Sequence, residues 1–295
     1  EPPQAHLAPA ALAPPRPPPI AKLPAYGGSG VPPAERFLAW AGDFFRGDMG
    51  VSLLYRQPVT KVIGEKLVNS LWLMTIAWVL SGAVGFVLGI AAGIREGSIA
   101  DKIIKGYSLL IASTPAFWLA LVLLMIFAVW LKVLPIGLSV PIGVEAGGVT
   151  IADRIRHAIL PAVTLSITGI AGITLHTREK MIEIMESDYV LFARARGEST
   201  LEIVKNHGLR NVLLPALTLQ FASISEIFGG SVLVEQTFSY PGLGQAAVTA
   251  GLGSDVPLLL GITVISALFV FGGNLIANVL YGVIDPRIRR GGAGL

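Results

Sequence analysis

Cysteine is absent from this 295-residue chain, and charged residues make up only 14% of it. The first absence excludes a disulfide scaffold, a thiolate metal site and a cysteine nucleophile. Soluble domains carry roughly 25% charged residues, so the second absence indicates that the chain is solvated by lipid. A phosphate-binding loop of the pattern G-x-x-x-x-G-K-[ST] is also absent. With no nucleophile–base pair either, we predict no enzymatic activity, no bound cofactor and no metal site on this chain.

Long apolar segments dominate what is present. The chain is 53% hydrophobic, with a mean hydropathy of +0.69. Five segments are long and apolar enough to cross a hydrocarbon core of about 30 Å. They span approximately residues 68–93, 107–131, 158–175, 212–234 and 258–284. We therefore predict an all-α, polytopic bundle of membrane helices.

The basic residues predict the orientation of this bundle. Lys and Arg number three in 94–106, six in 176–211 and three after residue 284, against three in 132–157 and none in 235–257. Because cytoplasmic loops carry the excess of Lys and Arg, the first three regions are expected inside. The C-terminus is then cytoplasmic and residues 1–67 are external. Topology accounts for the basic loops, so we expect no nucleic-acid partner.

The segment before the first apolar stretch predicts a span beyond the five. Nothing before residue 68 can cross a bilayer, and no signal peptide is present. Something must carry residues 1–67 outward, so we expect a sixth, N-terminal span; a true five-span protein is the alternative. The predicted organisation is an external Pro/Ala-rich segment with interfacial helices (1–67), a membrane domain (68–290) and a short tail (291–295).

Local signals refine the helices. Ser81, Gly85, Gly89 and Gly93 recur every four residues, which predicts either close helix packing or a substrate groove. Pro115 is expected to bend the second span. The prolines at 161 and 215 are expected near the starts of their helices, where a missing N–H costs nothing.

The loop 176–211 carries the strongest pattern. Apolar residues Met181, Met185, Tyr189 and Phe192 predict one face of a helix. Gly197 is expected to break that helix. The capping-box pattern from Ser199 to Glu202 then predicts a second helix start. A rigid hairpin of this kind can transmit a displacement from a cytoplasmic partner to the membrane helices.

Six stretches of the sequence now point to a family. They lie, in order, at residues 47–50, 113–118, 188–197, 207–215, 234–244 and 285–289. Together they resemble the permease subunits of ABC importers, and most of all the oligopeptide/dipeptide/nickel branch. The general signature of those permeases begins Glu-Ala-Ala, whereas this chain has Leu191-Phe192-Ala193 there, keeping Ala193 and Gly197.

The resemblance implies a fold, a function and partners. It implies a type I ABC importer permease that moves peptides, or a similar polar solute such as a nickel chelate, across a bacterial inner membrane. The implied partners are a second homologous permease, two nucleotide-binding ATPase subunits that hold ATP and Mg, an external solute-binding protein and membrane lipid. The implied ATPase-coupling turn comprises Ala193, Arg194, Ala195, Arg196, Gly197 and Glu198.

Other polar residues are candidates for a translocation path or an external gate. Glu226 lies mid-span, where a carboxylate is costly unless it faces water or a partner, and Ser223 lies beside it. A structural, paired glutamate is the alternative. Pro241, Gly242 and Gly244 are expected to form an external gate or a surface that meets a solute-binding protein. A plain turn is the alternative. Glu235 is expected at the membrane interface.

Two other classes of function stay open at this point. A secondary transporter uses charged residues at mid-membrane, for which Glu226 is the one candidate. A non-transporting membrane scaffold would tolerate substitutions in the 193–198 turn.

Overall fold

A computed structural model describes residues 32–141, 143 and 149–284 of the chain. Within these residues the regular structure is helical, apart from an isolated bridge between Val51 and Pro58. The Pro-rich segment 1–31, the 285–289 stretch and the 291–295 tail lie outside the described residues. The helices are α1 (Pro33–Phe45), α2 (Val59–Ile94), α3 (Ile99–Ala112), α4 (Ala116–Leu123), π1 (Leu124–Trp130), α5 (Ile151–Met185), α6 (Asp188–Ala195), α7 (Thr200–Ile203), π2 (Val204–Gly208), α8 (Leu209–Ala222), α9 (Ile224–Thr237), α10 (Leu243–Leu252) and α11 (Val256–Ile284).

All five predicted spans fall on helices. Among the described residues, α2, α5 and the Val256–Val279 part of α11 are each long and apolar enough to cross a membrane. Two further segments reach that length only as bent pairs, α3 with Ala116–Trp130 and Thr200–Ala222 with α9. The count is therefore three, or five when each bent pair is one span. The polytopic all-α prediction is confirmed.

The bend at Pro115 is far larger than a kink. Helix α3 ends at Ala112, α4 begins at Ala116, and the two segments meet at 108°. Proline disfavours helical backbone in the residue before it and cannot donate its own hydrogen bond, so the helix stops instead of curving. The hydroxyls of Ser113 and Thr114 donate to carbonyls one turn back, at 2.9 and 2.8 Å.

The positions predicted for the other two prolines are wrong. Pro161 lies ten residues inside α5, and Pro215 lies inside α8. Helix α5 starts early because Thr150 and Asp153 form a capping box, each side chain satisfying the other residue's backbone amide. That start signal precedes the apolar run, so apolarity alone placed the helix start too late.

The small residues of α2 make close helix packing, not a groove. A side chain at Gly89 would approach Thr177 Cβ at 2.5 Å and the Thr174 carbonyl at 2.8 Å. A Cβ at Gly85 or Gly93 would lie 2.9 Å from Ile173 Cβ or 2.6 Å from Met181 Cβ of α5. Small side chains let two backbones approach without a gap. The long α2–α5 pair, whose helices run parallel because Gly85, Gly89 and Gly93 meet Ile173, Thr177 and Met181 in the same order, is therefore the structural spine of the molecule.

We expect Gly89→Ala to lower the stability of the folded chain by about 2 kcal/mol, because α2 and α5 must separate to admit the methyl group. Gly64→Ala is the matched control in the same helix, since nothing lies within 4 Å of a Cβ there. It should be neutral or slightly stabilising through helix propensity. Thermal melting of the purified protein in detergent measures both, and equal melting temperatures would contradict the packing argument.

Two apolar clusters hold the opposite ends of the bundle. At one end, the start of α2 packs with α10 and α11 through Val59, Val62, Leu243, Ala250 and Leu258. At the other end, the α6–α7 segment packs on the ends of α2 and α5. We call residues 186–208 the hairpin, its end of the bundle the hairpin end, and the opposite end the far end.

Helix α1 is a helix as predicted, with Phe37, Leu38 and Phe45 exposed. Its place at a membrane interface stays a prediction.

Candidate functional site

The hairpin turn is built on one glycine. Helix α6 ends at Ala195, Arg196 caps it, and Gly197 follows with φ of +88°. The Gly197 amide donates to the Arg194 carbonyl at 2.9 Å, and the Glu198 amide donates to the Ala193 carbonyl at 3.1 Å. Only glycine adopts this left-handed conformation without steric cost. The predicted glycine turn is confirmed.

The predicted capping box is confirmed as well. The Glu202 amide donates to Ser199 Oγ at 3.4 Å, and the Ser199 amide donates to Glu202 Oε2 at 2.8 Å. Glu198 fastens the turn on both sides, since it accepts from Arg196 at 2.6 Å and lies 3.2 Å from His207 Nε2. The turn is thus fixed by its own side chains before any partner is present.

The predicted apolar stripe is wrong in its second half. Met181 and Met185 are buried, but Tyr189 and Phe192 are 43% and 71% exposed. The stripe assumed one continuous helix, whereas α5 ends at Met185 and α6 begins at Asp188. The break rotates the following residues, so that Val190 and Ala193 face the interior instead.

A shared core attaches the hairpin to the membrane helices. Phe86, Ile90 and Ile94 of α2 pack against it. Its buried members are Met181, Ile184, Met185, Val190, Ala193, Ile203, Val204 and Val212. Well-packed side chains resist relative displacement, so a force on the hairpin is passed to α2 and α5.

The outer surface of the turn mixes positive charge with exposed apolar groups. Arg194, Ala195, Arg196 and Gly197 are exposed, whereas Ala193 is fully buried and anchors the turn. Three large apolar side chains flank them with exposed fractions of 64%, 71% and 79%, namely Leu191, Phe192 and Leu201. Arginines beside exposed aromatic and aliphatic groups are typical of protein interfaces. Ala193 thus packs inside the hairpin, and the coupling role of the turn stays a prediction.

A shallow pocket opens on the same hairpin. It has a volume of about 480 Å³ and is lined by Tyr189, Asn206, His207, Arg210 and Asn211. Asn211 Nδ2 lies 3.4 Å from the Tyr189 hydroxyl. The π2 segment supplies two of its residues, and π-helical turns are frequent at functional sites.

Arg178 is a residue whose role sequence reasoning missed, because it was counted only as a basic loop residue. It is 8% exposed and forms a two-point ion pair with Asp101, 2% exposed, at 2.5 and 2.8 Å. The signal in the sequence was Asp101 itself, a carboxylate in the first turn of α3 whose amide is capped by Ser98.

Glu235 is also misplaced by the sequence reasoning, which put it at the interface. It is fully buried and accepts from the Ser70 hydroxyl at 2.6 Å and from the amides of Gly244 and Gln245 at 2.8 and 3.1 Å. The start of α10 folds back over it, so a helix N-terminus solvates the carboxylate. Gly242 has no room for a side chain beside the Glu235 carboxylate. Glycines seven and nine residues after a glutamate were the available signal.

The predicted gate residues therefore belong to a packed unit. Gly242 and Gly244 are buried, and the Pro241 carbonyl accepts from Asn69 Nδ2 at 3.0 Å. Tyr240 of the same turn is 2% exposed, and burial raises the pKa of its hydroxyl to about 12. A gate role for this turn stays a prediction.

Glu226 and Ser223 lie at the break of a bent helix pair. Helices α8 and α9 meet there at 47°. Glu226 is exposed in the first turn of α9, and the Ser223 hydroxyl donates to the Gln220 carbonyl at 2.8 Å. Their predicted place on a translocation path stays a prediction.

A second buried carboxylate secures the far end. Asp255 accepts from the Ser52 hydroxyl at 2.5 Å and from the amides of Leu54 and Leu258 at 3.0 and 3.2 Å. It ties the loop before α2 to the start of α11. In the described part of the chain, no group of three or more His, Asp or Glu side chains is placed to hold a metal ion.

Apolar helices of membrane-spanning length, joined to a rigid hairpin, define a polytopic helical membrane protein. The chain is more specifically a member of a known family. The family described as "Binding-protein-dependent transport system inner membrane component" matches residues 85–290, well over half of the sequence. The chain therefore belongs to that family of permease subunits, and the resemblance seen in the sequence is confirmed.

Relatives with similar sequences are permeases. The oligopeptide transport system permease protein AppB of Bacillus subtilis is 38% identical over 260 residues, which cover 87% of this chain and 81% of AppB. A Brucella abortus protein described as a peptide transport system permease is 34% identical over 254 residues, 85% of this chain and 78% of the relative.

A solved structure shares the fold. The MetNI methionine ABC transporter, in an inward-facing form, aligns with a TM-score of 0.54 and 15% identity, over 74% of this chain and 96% of its own. At this identity the likeness concerns the fold alone, and it confirms the type I importer permease architecture.

Proposed function

We propose that this chain is a permease subunit of an ATP-driven importer that moves peptides, or a similar small polar solute such as a nickel chelate, across the cytoplasmic membrane. One observation carries the proposal: a glycine turn with exposed arginines and apolar groups is fixed to two membrane helices by a shared core. The names of the relatives favour peptides among the solutes.

The proposed partners bind the nucleotide and deliver the solute. Nucleotide and Mg²⁺ would bind on two separate ATPase subunits, each receiving a hairpin from one of two homologous permeases. An external solute-binding protein would deliver the solute at the far end. Lys and Arg are concentrated on the hairpin side, which supports a cytoplasmic hairpin and C-terminus and an external far end.

The proposed mechanism uses the hairpin as a lever. Closure of the ATPase pair would displace Arg194, Ala195, Arg196, Gly197 and Glu198, and Ala193 would carry the displacement into the hairpin core. Helices α2 and α5 would then move together because their backbones are in direct contact. A central translocation cavity would then alternate between inward-facing and outward-facing arrangements, which ATP and the binding protein would bias. Glu226 and Ser223 are proposed on the path, and Pro241, Gly242 and Gly244 at the external gate.

Reconstitution separates this proposal from its rivals. Vesicles containing the assembled transporter should take up a mixture of short radiolabelled peptides when Mg·ATP is present on the hairpin side, and not with catalytically inactive ATPase subunits. Uptake driven by an ion gradient in vesicles that lack the ATPase would indicate a secondary transporter. Absence of uptake, with the ATPase bound and hydrolysing, would indicate a scaffold.

A further inference from the structure

The ion pair between Arg178 and Asp101 is the most deeply buried charged contact at the hairpin end, among the described residues. Arg178 donates through Nε and Nη2 to the two carboxylate oxygens, and its side chain is 10% exposed against 3% for Asp101. The Gly97 amide also donates to Asp101, at 2.9 Å. Both oxygens are thus engaged, as a buried carboxylate requires.

Two-point pairing fixes orientation as well as distance. The planar guanidinium of arginine matches a carboxylate along two parallel hydrogen bonds, so the partners cannot rotate independently. Removing one partner leaves the other charged and desolvated. The start of α3 is therefore clamped to α5 by a contact that water does not replace.

The Arg178–Asp101 ion pair, which we call the clamp, lies directly beside the hairpin core. Met181 of that core is one helical turn after Arg178 and contacts Gly208 of the hairpin. On the neighbouring helix, Gly93 lies against Met181 and the Arg178 carbonyl. The connection from α2 to α3 then leads, within a few residues, to Asp101. Hairpin core, α5 and the start of α3 form one continuous contact path.

Helix α3 connects this path to the break at Ser113–Pro115. Beyond that break, α4 and π1 turn away by 108°. We infer that Arg178 and Asp101 are positioning residues that make α3 move with the hairpin, so that displacement of the hairpin reaches the broken α3–α4 segment. This inference rests on the proposed coupling of the hairpin to an ATPase.

A matched exposed pair provides the control. Lys180 pairs with Glu183 on the same helix, at 2.7 Å, but these side chains are 36% and 68% exposed. Exposed pairs contribute little to structure. Lys180→Ala removes a cation two residues from Arg178 without opening a buried contact.

The first test measures peptide transported per ATP hydrolysed in the assembled, reconstituted transporter, with the same short-peptide mixture. Arg178→Ala should lower this ratio by about tenfold while ATP hydrolysis continues. Arg178→Lys keeps the charge but loses the two-point geometry, so its ratio should lie between those of Arg178→Ala and the wild type. Lys180→Ala should match the wild type. If Arg178→Ala does not fold, Asp101→Asn replaces it in this test, because the asparagine still offers an acceptor to the Gly97 amide. A wild-type ratio in a folded Arg178 or Asp101 variant would overturn the inference.

The second test measures distance and separates this inference from the proposed function. The chain has no cysteine, so nitroxide labels can be placed on exposed Lys102→Cys and Glu186→Cys without background. Their distance distribution should be narrow in the wild type and broad in Arg178→Ala; equal widths would overturn the clamp. Labels on Glu186→Cys and Leu252→Cys report hairpin movement instead, and no response to Mg·ATP there would contradict the proposed coupling alone.

Discussion

Gly197→Asp should produce a folded, membrane-inserted protein whose transport falls by at least about tenfold. Nothing lies within 4 Å of a Cβ at Gly197, so the side chain itself fits. The cost to the fold is the left-handed backbone at φ +88°, about 1–2 kcal/mol for a non-glycine residue. A carboxylate directly after Arg196 and three residues after Arg194 would, in addition, reduce the positive charge of the surface proposed to meet the ATPase. Peptide uptake and ATP hydrolysis in the same vesicles measure the loss of transport, and thermal melting in detergent measures the cost to the fold.

Gly47 offers a control with the same backbone. It follows α1 as Gly197 follows α6, with φ of +84° and open space at Cβ. Its amide donates to Phe44 at 2.9 Å, matching the bond from Gly197 to Arg194. Gly47→Asp should therefore cost similar stability and leave transport near normal. Equal loss of transport in both variants would attribute the effect to strain and remove the argument for a coupling turn.

Glu235→Ala should destabilise the protein by about 3 kcal/mol, because it leaves buried donors without an acceptor. Ser70, Gly244 and Gln245 all donate to this carboxylate, and the cavity left behind adds to the cost. The expected result is a lower melting temperature in detergent and a reduced yield of folded protein.

Glu226→Ala is the control for Glu235→Ala, because Glu226 lies on the same helix but is exposed. Its melting temperature should stay at the wild-type value. The melting temperature of Glu235→Gln should lie between those of Glu235→Ala and the wild type, since an amide oxygen still accepts from the backbone amides of α10. If Glu235→Ala melts like the wild type, the buried carboxylate is not what holds α9, α10 and the Ser70 region of α2 together.

Local patterns predicted local structure well. The turn at Gly197 and the capping box at Ser199 depend on residues close in sequence, and the structure confirms both. All five apolar runs fall on helices, three of them as single helices of spanning length and two as bent pairs. The small residues of α2 also predicted close packing. They could not identify the partner, because the sequence does not say which helix faces them.

Two of the errors concern contacts between residues distant in sequence. Arg178 meets Asp101 from 77 positions away, and Ser70 meets Glu235 from 165. A buried carboxylate and an exposed one look the same in a single sequence, so Glu235 was expected at the membrane interface although it is fully buried. The break at Ser187 was missed because Met181, Met185, Tyr189 and Phe192 mimic one continuous helix.

The right-angled break at Pro115 links this protein to the thickness of its membrane. Helix α3 has 14 residues, about 21 Å at 1.5 Å per residue, and the arm Ala116–Trp130 is of similar length. Neither arm alone matches a hydrocarbon core of about 30 Å. Lipids around this corner must thin or tilt to cover it, while α2 and α5 nearby are long enough for a full-thickness bilayer. Acyl-chain length is therefore expected to be a variable that acts on the α3–α4 corner.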